Sequence, residues 1–395
     1  MNANLAQYCL IRDGVIFLNH GSYGACPRPV FEQYQRWQLT LEQQPVEFVG
    51  RKFLDYLLVA RTALAAELGT APDNIVDVLN ATEGLNIVIQ SLDLKPGDEV
   101  LMSDHEYGAL EKTWTYVARR TGARIVVAPI PLPLTSEAEF TSAILAGVTD
   151  RTRVLFLSHI TSPTALRFPI ESAVAFARQR GIYTVIDGAH TPGHIPVDLD
   201  RLGADFYSGN CHKWLMTPKG SGFLYVRPEL QRLINPLVIS HGWTEDAAQP
   251  GARGAYGGTP FLDGLQMRGT RDPAAWLSVP AALKFREEHD WQSVAGWCQS
   301  LARETARRLV AVTGFPLLAG DAFCAPQMVA IQVPDTDPEV LKNYLLDRHT
   351  IEVPVFNWDG RSILRFSVQY YNTEAHMDAL VDAVASYLRE QRKAS

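Results

Sequence analysis

The sequence predicts an α/β protein with a mostly parallel seven-stranded sheet in a large domain and a smaller α+β unit at its C-terminal end. Two observations carry this. Seven short apolar runs alternate with longer amphipathic segments between residues 75 and 226, as expected of strands joined by crossover helices that cover both sheet faces. Beyond a glycine-rich stretch, two more apolar runs are interleaved with helical patterns. The size agrees, since 395 residues suffice for two or three domains of ~150 residues each. With 47% hydrophobic and 20% charged residues, a normal core is available and a mainly disordered chain is excluded.

Each element has its own signal. Residues 1–30 read as an arm ending in FLNHGSYGACPRP, where glycines and prolines oppose regular structure. From Val30 to Gly69 the pattern is helical, interrupted at Pro45, with Phe53, Leu57, Leu58, Leu64 and Leu68 as its apolar face. The strand candidates follow as IVDVL (75–79), EVLMS (99–103), RIVVAPI (124–130) and RVLFLSH (153–159), then YTVIDGA (183–189), ADFYSG (204–209) and SGFLYV (221–226). Helices are expected from Thr82, over 108–120, over 138–146, and after Pro169 with a stop at Gly181. Residues 240–273, with six glycines between Gly251 and Gly269, read as a long loop with little helix, which lines a site or reaches a partner. Helical patterning resumes from Ala274 to Val312. QMVAIQV (327–333), a helix at 338–348, ILRFSV (363–368) and a helix from Thr373 to Arg389, capped by Asn372 or Thr373, complete the chain. The expected division is an arm at 1–30, a large domain at 31–280 and a small domain at 281–395.

Several function classes are disfavoured. A net charge of -7 argues against reliance on phosphate neutralisation, so no nucleic-acid partner is expected. The five cysteines are scattered, without C-x-x-C, which suits a reducing cytosol. No secretory signal pattern opens the sequence, and no apolar run reaches the ~18 residues of a membrane span. There is no H-E-x-x-H or compact ligand set, so no metal site is expected. A nicotinamide or nucleotide enzyme is disfavoured because G-x-G-x-x-G after a strand is missing.

Three groups at strand ends carry chemistry: Ala81-Thr82-Glu83-Gly84, Asp187-Gly188-Ala189-His190 and Asn210-Cys211-His212-Lys213. Ligands of open α/β sheets bind beyond the carboxyl ends of the strands. Thr82 heads a helix, where backbone N–H groups and the dipole favour a phosphate. Asp187 follows YTVI, so its carboxylate needs a cationic or N–H partner. Lys213 precedes Trp214, Leu215 and Met216, and a desolvated lysine becomes a nucleophile able to form a Schiff base. A phosphate seat, a buried acid and a reactive lysine together describe a pyridoxal phosphate site.

VIDGAHTPG (185–193), DFYSGNCHKWLMTPKGSGFLYV (205–226) and LRFSVQYYNT (364–373), with the 26-residue step from Asp187 to Lys213, resemble the class V group of fold-type I pyridoxal phosphate enzymes. This is the aminotransferase class V or cysteine desulfurase superfamily, and the resemblance covers nearly the whole chain. FLNHGSYGACP and SDHEYGALE are most similar to its isopenicillin N epimerase-like branch. The resemblance implies the transferase fold of these enzymes and a homodimer with shared active sites. It makes Lys213 the catalytic lysine that carries pyridoxal 5'-phosphate covalently and moves protons. Asp187 then pairs with the pyridine nitrogen, and His190 and Ser162, with Thr161, approach the ring oxygen. His212, Thr82, the Ala81–Glu83 backbone and Asn210, where the family often has serine, contact the phosphate. Thr270 reaches the phosphate of the neighbouring subunit. His105 or Tyr107 stacks on the ring, Arg365 clamps the substrate carboxylate, and Asn19, His20 and Ser22 lie on the substrate side. Ala165 stands where relatives commonly have glycine.

The resemblance implies amino-acid epimerisation at the α-carbon of an amino acid or amino-acid-bearing peptide. A C–S β-elimination lyase, an aminotransferase and a non-catalytic binding protein on the same fold remain alternatives. Epimerisation needs a second proton carrier facing Lys213, for which His105, Tyr107 and His20 are candidates. Between Asp347 and Leu364 the chain has no cysteine, which weighs against a persulfide-forming desulfurase.

Overall fold

The structure, a computed structural model, describes residues 5–249, 251–334 and 336–394; residues 1–4 of the expected arm, and residues 250, 335 and 395, lie outside the described residues. Its strands are β1 (Ile16–Phe17), β2 (Ile75–Val78), β3 (Glu99–Ser103), β4 (Arg124–Ala128), β5 (Thr152–Ser158) and β6 (Tyr183–Gly188). They continue as β7 (Phe206–Asn210), β8 (Gly222–Val226), β9 (Met328–Gln332), β10 (Ile351–Glu352), β11 (Val355–Trp358) and β12 (Arg361–Ser367). The seven-stranded sheet has the order β2-β8-β7-β6-β5-β3-β4. Strands β4, β3, β5, β6 and β7 run parallel, and β8 is antiparallel to both neighbours. The connection at 211–221 is a turn segment without a crossover helix, so β8 returns antiparallel to β7.

Residues alternate across this sheet. Val76, Val100, Met102, Val154 and Phe156 pack into one core cluster. Ile75, Leu101, Leu155, Leu157 and Ile186 pack into the other. Both faces are therefore dry, as a parallel sheet under helices requires. The chain leaves β3 toward β4 on one side and returns as β5 on the other. This reversal opens a crevice between the carboxyl ends of β3 and β5, where open α/β sheets bind ligands.

The C-terminal unit is an antiparallel sheet, β11-β12-β9, with helices Trp291–Thr313, Pro338–His349 and Glu374–Ala394. The arm joins it, because β1 pairs in parallel with β10 and Ser367 N–H donates to Leu18 O at 2.8 Å.

Several local expectations change. Residues 260–266 form a helix inside the predicted loop: Thr259 Oγ1 accepts from Leu262 N–H and Pro260 occupies the first turn. Those two residues set a local helix start that the surrounding glycines masked. Leu58 is 43% exposed, so it does not belong to the apolar face of helix Phe53–Glu67. The 274–312 pattern breaks at Ser278 and at Asp290, whose φ is 45°. Strands β1, β10 and β11 escaped notice because two to four residues carry too little periodicity.

Candidate active site

A cavity of about 590 Å³ lies over the carboxyl ends of β5, β6 and β7, bounded on the far side by the small sheet. Lys213, on the turn after β7, Asp187, near the end of β6, and Arg365, on β12, all line it. Thr82, Asn210 and His212 form another part of the wall, and Ser22, Ser162, His190 and Tyr107 complete the expected residues found there. The arm holds the lysine segment in place. His20 Nε2 donates to Lys213 O at 3.0 Å while its Nδ1 accepts from Tyr371 O–H at 2.9 Å. Gly24, at φ 69°, approaches so closely that a Cβ there would lie 1.8 Å from His212 O. Only glycine suits that conformation and that space.

The polar contacts fix protonation. Trp214 Nε1–H donates to His190 Nδ1 at 3.3 Å, so the imidazole proton resides on Nε2. His190 Nε2 then donates to Lys213 Nζ at 3.1 Å, which requires a lone pair on that nitrogen. Lys213 is thus a free amine in this arrangement. Desolvation and then the Arg365 charge push its pKa down, while Asp187 opposes them. Desolvation raises the pKa of Asp187, and the Ala189 N–H, donating to Oδ1 at 2.8 Å, pulls it back, as Lys213 would when protonated. His190 is held well below its ordinary value, first by burial, with the Arg365 charge adding to it.

Arg365 is 5% exposed and has no carboxylate partner among the described residues. Its Nη1 donates to Ser162 Oγ at 3.1 Å and to Ser162 O, and its Nη2 donates to Ser22 Oγ at 3.1 Å. Burial pulls its pKa down to about 10, yet it stays a cation at neutral pH. A buried guanidinium without a counter-ion is a costly arrangement until an anion enters. These groups fit pyridoxal phosphate: a free amine, an acid with one N–H partner, and a separate polar wall of Thr82, Asn210 and His212.

Other expected residues stand elsewhere. His105 is fully buried off the cavity, with Nδ1 on Thr164 Oγ1 at 2.7 Å and its ring against Trp358 at 4.6 Å. Tyr107, 44% exposed, is the member of that pair on the wall. In the turn after β3, side chains diverge within two residues, and the smaller ring is covered by Phe168 and Trp358. His20 is likewise fully buried, with both nitrogens bonded away from the cavity. Asn19 lies behind Ser22, accepting its hydroxyl proton, and Thr161 bonds Thr164 and the Leu166 N–H. Ala81 N–H already donates to Asn210 Oδ1 at 2.8 Å, and Glu83 N–H to Asn80 Oδ1 at 3.0 Å. The expected Ala81–Glu83 backbone cradle is therefore partly filled by side-chain caps. Because Asn210 points its oxygen at Ala81, its NH₂ is the end left for a phosphate. Thr270 is exposed and outside this cavity.

Sequence reasoning missed Glu106, Phe356 and Trp358 on the wall. Glu106 had a usable signal, a carboxylate between His105 and Tyr107 after an apolar strand. The β11 residues had none, because only long-range pairing brings them here. No cysteine lines the cavity among the described residues, and burial pushes the Cys211 thiol up to about 12.

The match to known proteins agrees with this site. The family described as aminotransferase class-V matches residues 27–380. The isopenicillin N epimerase of Streptomyces clavuligerus is 36% identical over 379 residues, covering 95% of each chain. An L-cysteine desulfhydrase of Arabidopsis thaliana is 28% identical over 430 residues, covering 98% of this chain and 90% of the plant protein. The crystal structure of the Escherichia coli cysteine desulfurase CsdA superimposes with a TM-score of 0.81 at 26% identity over 98% of each chain. With the fold, the cavity and the free amine in agreement, the chain belongs to the aminotransferase class-V family of fold-type I, whose members are pyridoxal phosphate-dependent enzymes acting on amino-acid substrates.

Proposed function

We propose that this enzyme is an isopenicillin N epimerase-like isomerase that inverts the α-carbon of an amino acid or amino-acid-bearing peptide. The observation that carries the substrate class is Arg365, buried on the cavity wall with no carboxylate partner among the described residues. An α-carboxylate would supply that partner through a bidentate pair.

Pyridoxal phosphate supplies an electron-withdrawing ring joined to the substrate's amino nitrogen. In our reading Lys213 would hold it covalently, Asp187 would serve the pyridine nitrogen, and His190 and Ser162 would serve the ring oxygen. Thr82, Asn210 and His212 hold the phosphate, with Thr270 contributed by the second subunit of a homodimer. Lys213, released as a free amine when the substrate's amino group takes its place, would take the α-proton. Tyr107 is our candidate for returning a proton on the other face and for stacking, since His105 and His20 have their ring nitrogens directed elsewhere. The arm (1–30), large domain (31–280) and small domain (281–395) are the proposed units. The chain's free cysteines suit a cytoplasmic home. Among the described residues no helix is long and apolar enough to cross a membrane.

The test is incubation of the holoenzyme in D₂O with amino acids and short peptides, followed by chiral chromatography and mass spectrometry. Recovery of α-deuterated substrate in both configurations is the expected result. A keto acid, with or without released thiol, would retire the epimerase assignment in favour of an aminotransferase or a lyase.

A further inference from the structure

Glu106 is a buried carboxyl on the cavity wall that the reaction above does not use. It follows β3 and projects into the crevice where the strand order reverses. Ser103 Oγ, at the end of β3, donates to its Oε1 at 2.5 Å. Ser158 Oγ, at the end of β5, donates to its Oε2 at 2.6 Å. Ser158 is the register partner of Asp187 on β6, so the two carboxyls occupy adjacent strand ends along one edge. Both oxygens of Glu106 thus have neutral hydroxyl partners, one of which can accept the O–H of the protonated acid while the other still donates, and Glu106 makes no ion pair among the described residues.

The charged and titratable groups on the shared wall come from every neighbouring element. Tyr107 and Glu111 come from its own segment, Asp187 and His190 from β6 and its turn, His212 and Lys213 from the turn after β7, and Arg365 from β12. Of the basic groups on that wall, Lys213 is engaged as a free amine by His190, and Arg365 is engaged by Ser162 and Ser22. Two buried carboxyls in one site do not both ionise readily.

We propose that Glu106 is a positioning residue that retains its proton at neutral pH, so that it and Asp187 together present a single negative charge to the cofactor's pyridine ring. This rests on the pyridoxal phosphate reading. Desolvation is the main cause that pushes its carboxyl up, to about 8, with the Asp187 charge adding to it and the two serine hydroxyls and the Ser158 backbone N–H opposing it. A neutral Glu106 leaves Asp187 as the undivided counter-charge. An ionised one would place a second anion in the same crevice and change the field at the ring.

The experiment is infrared spectroscopy of the full chain, with and without bound pyridoxal phosphate, using carbon-13-labelled glutamate across a pH series. The expected result is a label-sensitive carboxylic-acid C=O band near pH 7 that fades with a midpoint near 8 and is missing in Glu106→Gln. Ser158→Ala, which leaves the carboxyl in place, should move that midpoint upward, because one stabiliser of the anion is gone. Absence of the band in wild type near neutral pH, or its survival in Glu106→Gln, overturns the assignment. The cofactor absorbance supplies the second readout. Wild type should show a spectral step near pH 8 that Glu106→Gln lacks, and identical titrations would overturn the coupling to Asp187. If the cofactor does not bind at all, the pyridoxal phosphate reading fails, while the infrared band of the cofactor-free chain still decides the state of Glu106.

Discussion

Arg365 and Lys213 are opposite solutions to burial. The guanidinium keeps its charge and waits for an anion, whereas the amine gives its charge up. Removing each gives distinct consequences. Arg365→Ala should lower kcat/KM for carboxylate substrates by about 10- to 100-fold, the value of one charge-assisted bidentate pair. Steady-state kinetics on the acid and its amide check this, since the amide should be nearly indifferent to the change. Lys213→Ala should lose the covalent cofactor link. Borohydride reduction, digestion and mass measurement should find the phosphopyridoxyl group on the residue-213 peptide of wild type and on no lysine of the variant. At this scale the motifs were legible where the chemistry is local: Asp187, His190, His212 and Lys213 occur in two short segments at strand ends. Residue type alone could not separate His105 from Tyr107, because a half-turn of backbone decides which faces the cavity. His20 was misread for a similar reason. Its polarity serves Tyr371 and the Lys213 carbonyl, a buried pairing that its immediate sequence does not reveal.

Among elements, the segment bearing Thr270 is tied to β2 by a buried ion cluster. Asp77 on β2 is 2% exposed, accepts from Arg268 Nη2 at 3.1 Å and forms an ion pair with Arg271 Nη2 at 2.7 Å, while Arg268 Nη1 donates to Asp77 O at 2.8 Å. Both flanks of Thr270 are therefore fixed to the strand that leads into Asn80 and Thr82. Asp77→Ala would strand two largely buried guanidiniums and should cost about 3–5 kcal/mol. Urea denaturation measures the loss, and the variant should also bind pyridoxal phosphate more weakly if Thr270 acts across a dimer. Asp77→Asn, which keeps the shape but not the charge, should fall between the two. A second loop keeps its form without the expected residue. Ala165 adopts φ 53°, held by its N–H to Thr161 O and by Ala325 N–H to its own carbonyl. A left-handed non-glycine residue is strained by ~1–2 kcal/mol, and these bonds offset it. Such compensation comes from residues far along the chain, so the local sequence does not display it.

Over the whole molecule, burial of titratable groups sets opposing pH dependences. His20, His105, His159 and His194 are each held down to about 3 by burial. Below about pH 6.5 the unfolded chain takes up protons that the folded one refuses, so stability falls as pH drops from there toward 3. Each such histidine removes about 2 kcal/mol by pH 5. Glu106 acts in the other direction. Its folded value, near 8, lies above the ordinary 4.5, so stability falls as pH rises through that window. The urea midpoint should therefore peak near neutrality and collapse by about pH 5. A midpoint that is flat between pH 5 and 7 would mean that these imidazoles are not buried neutral.

Alternating apolar runs were enough to specify the layered sheet, because burial on both faces leaves one pattern for a strand and another for the helix that follows it. The family was equally readable, and so was the meeting of Lys213 and Asp187 on one cavity wall, since both stand at the carboxyl ends of strands. The arm's pairing through β1 and β10, the arrival of β11 at the cavity, and the orientation of His20, His105 and Glu106 were settled only in three dimensions. Those features depend on contacts between segments far apart in the chain. Which way a polar side chain turns is governed by the partners that burial brings to it, and no local pattern records them.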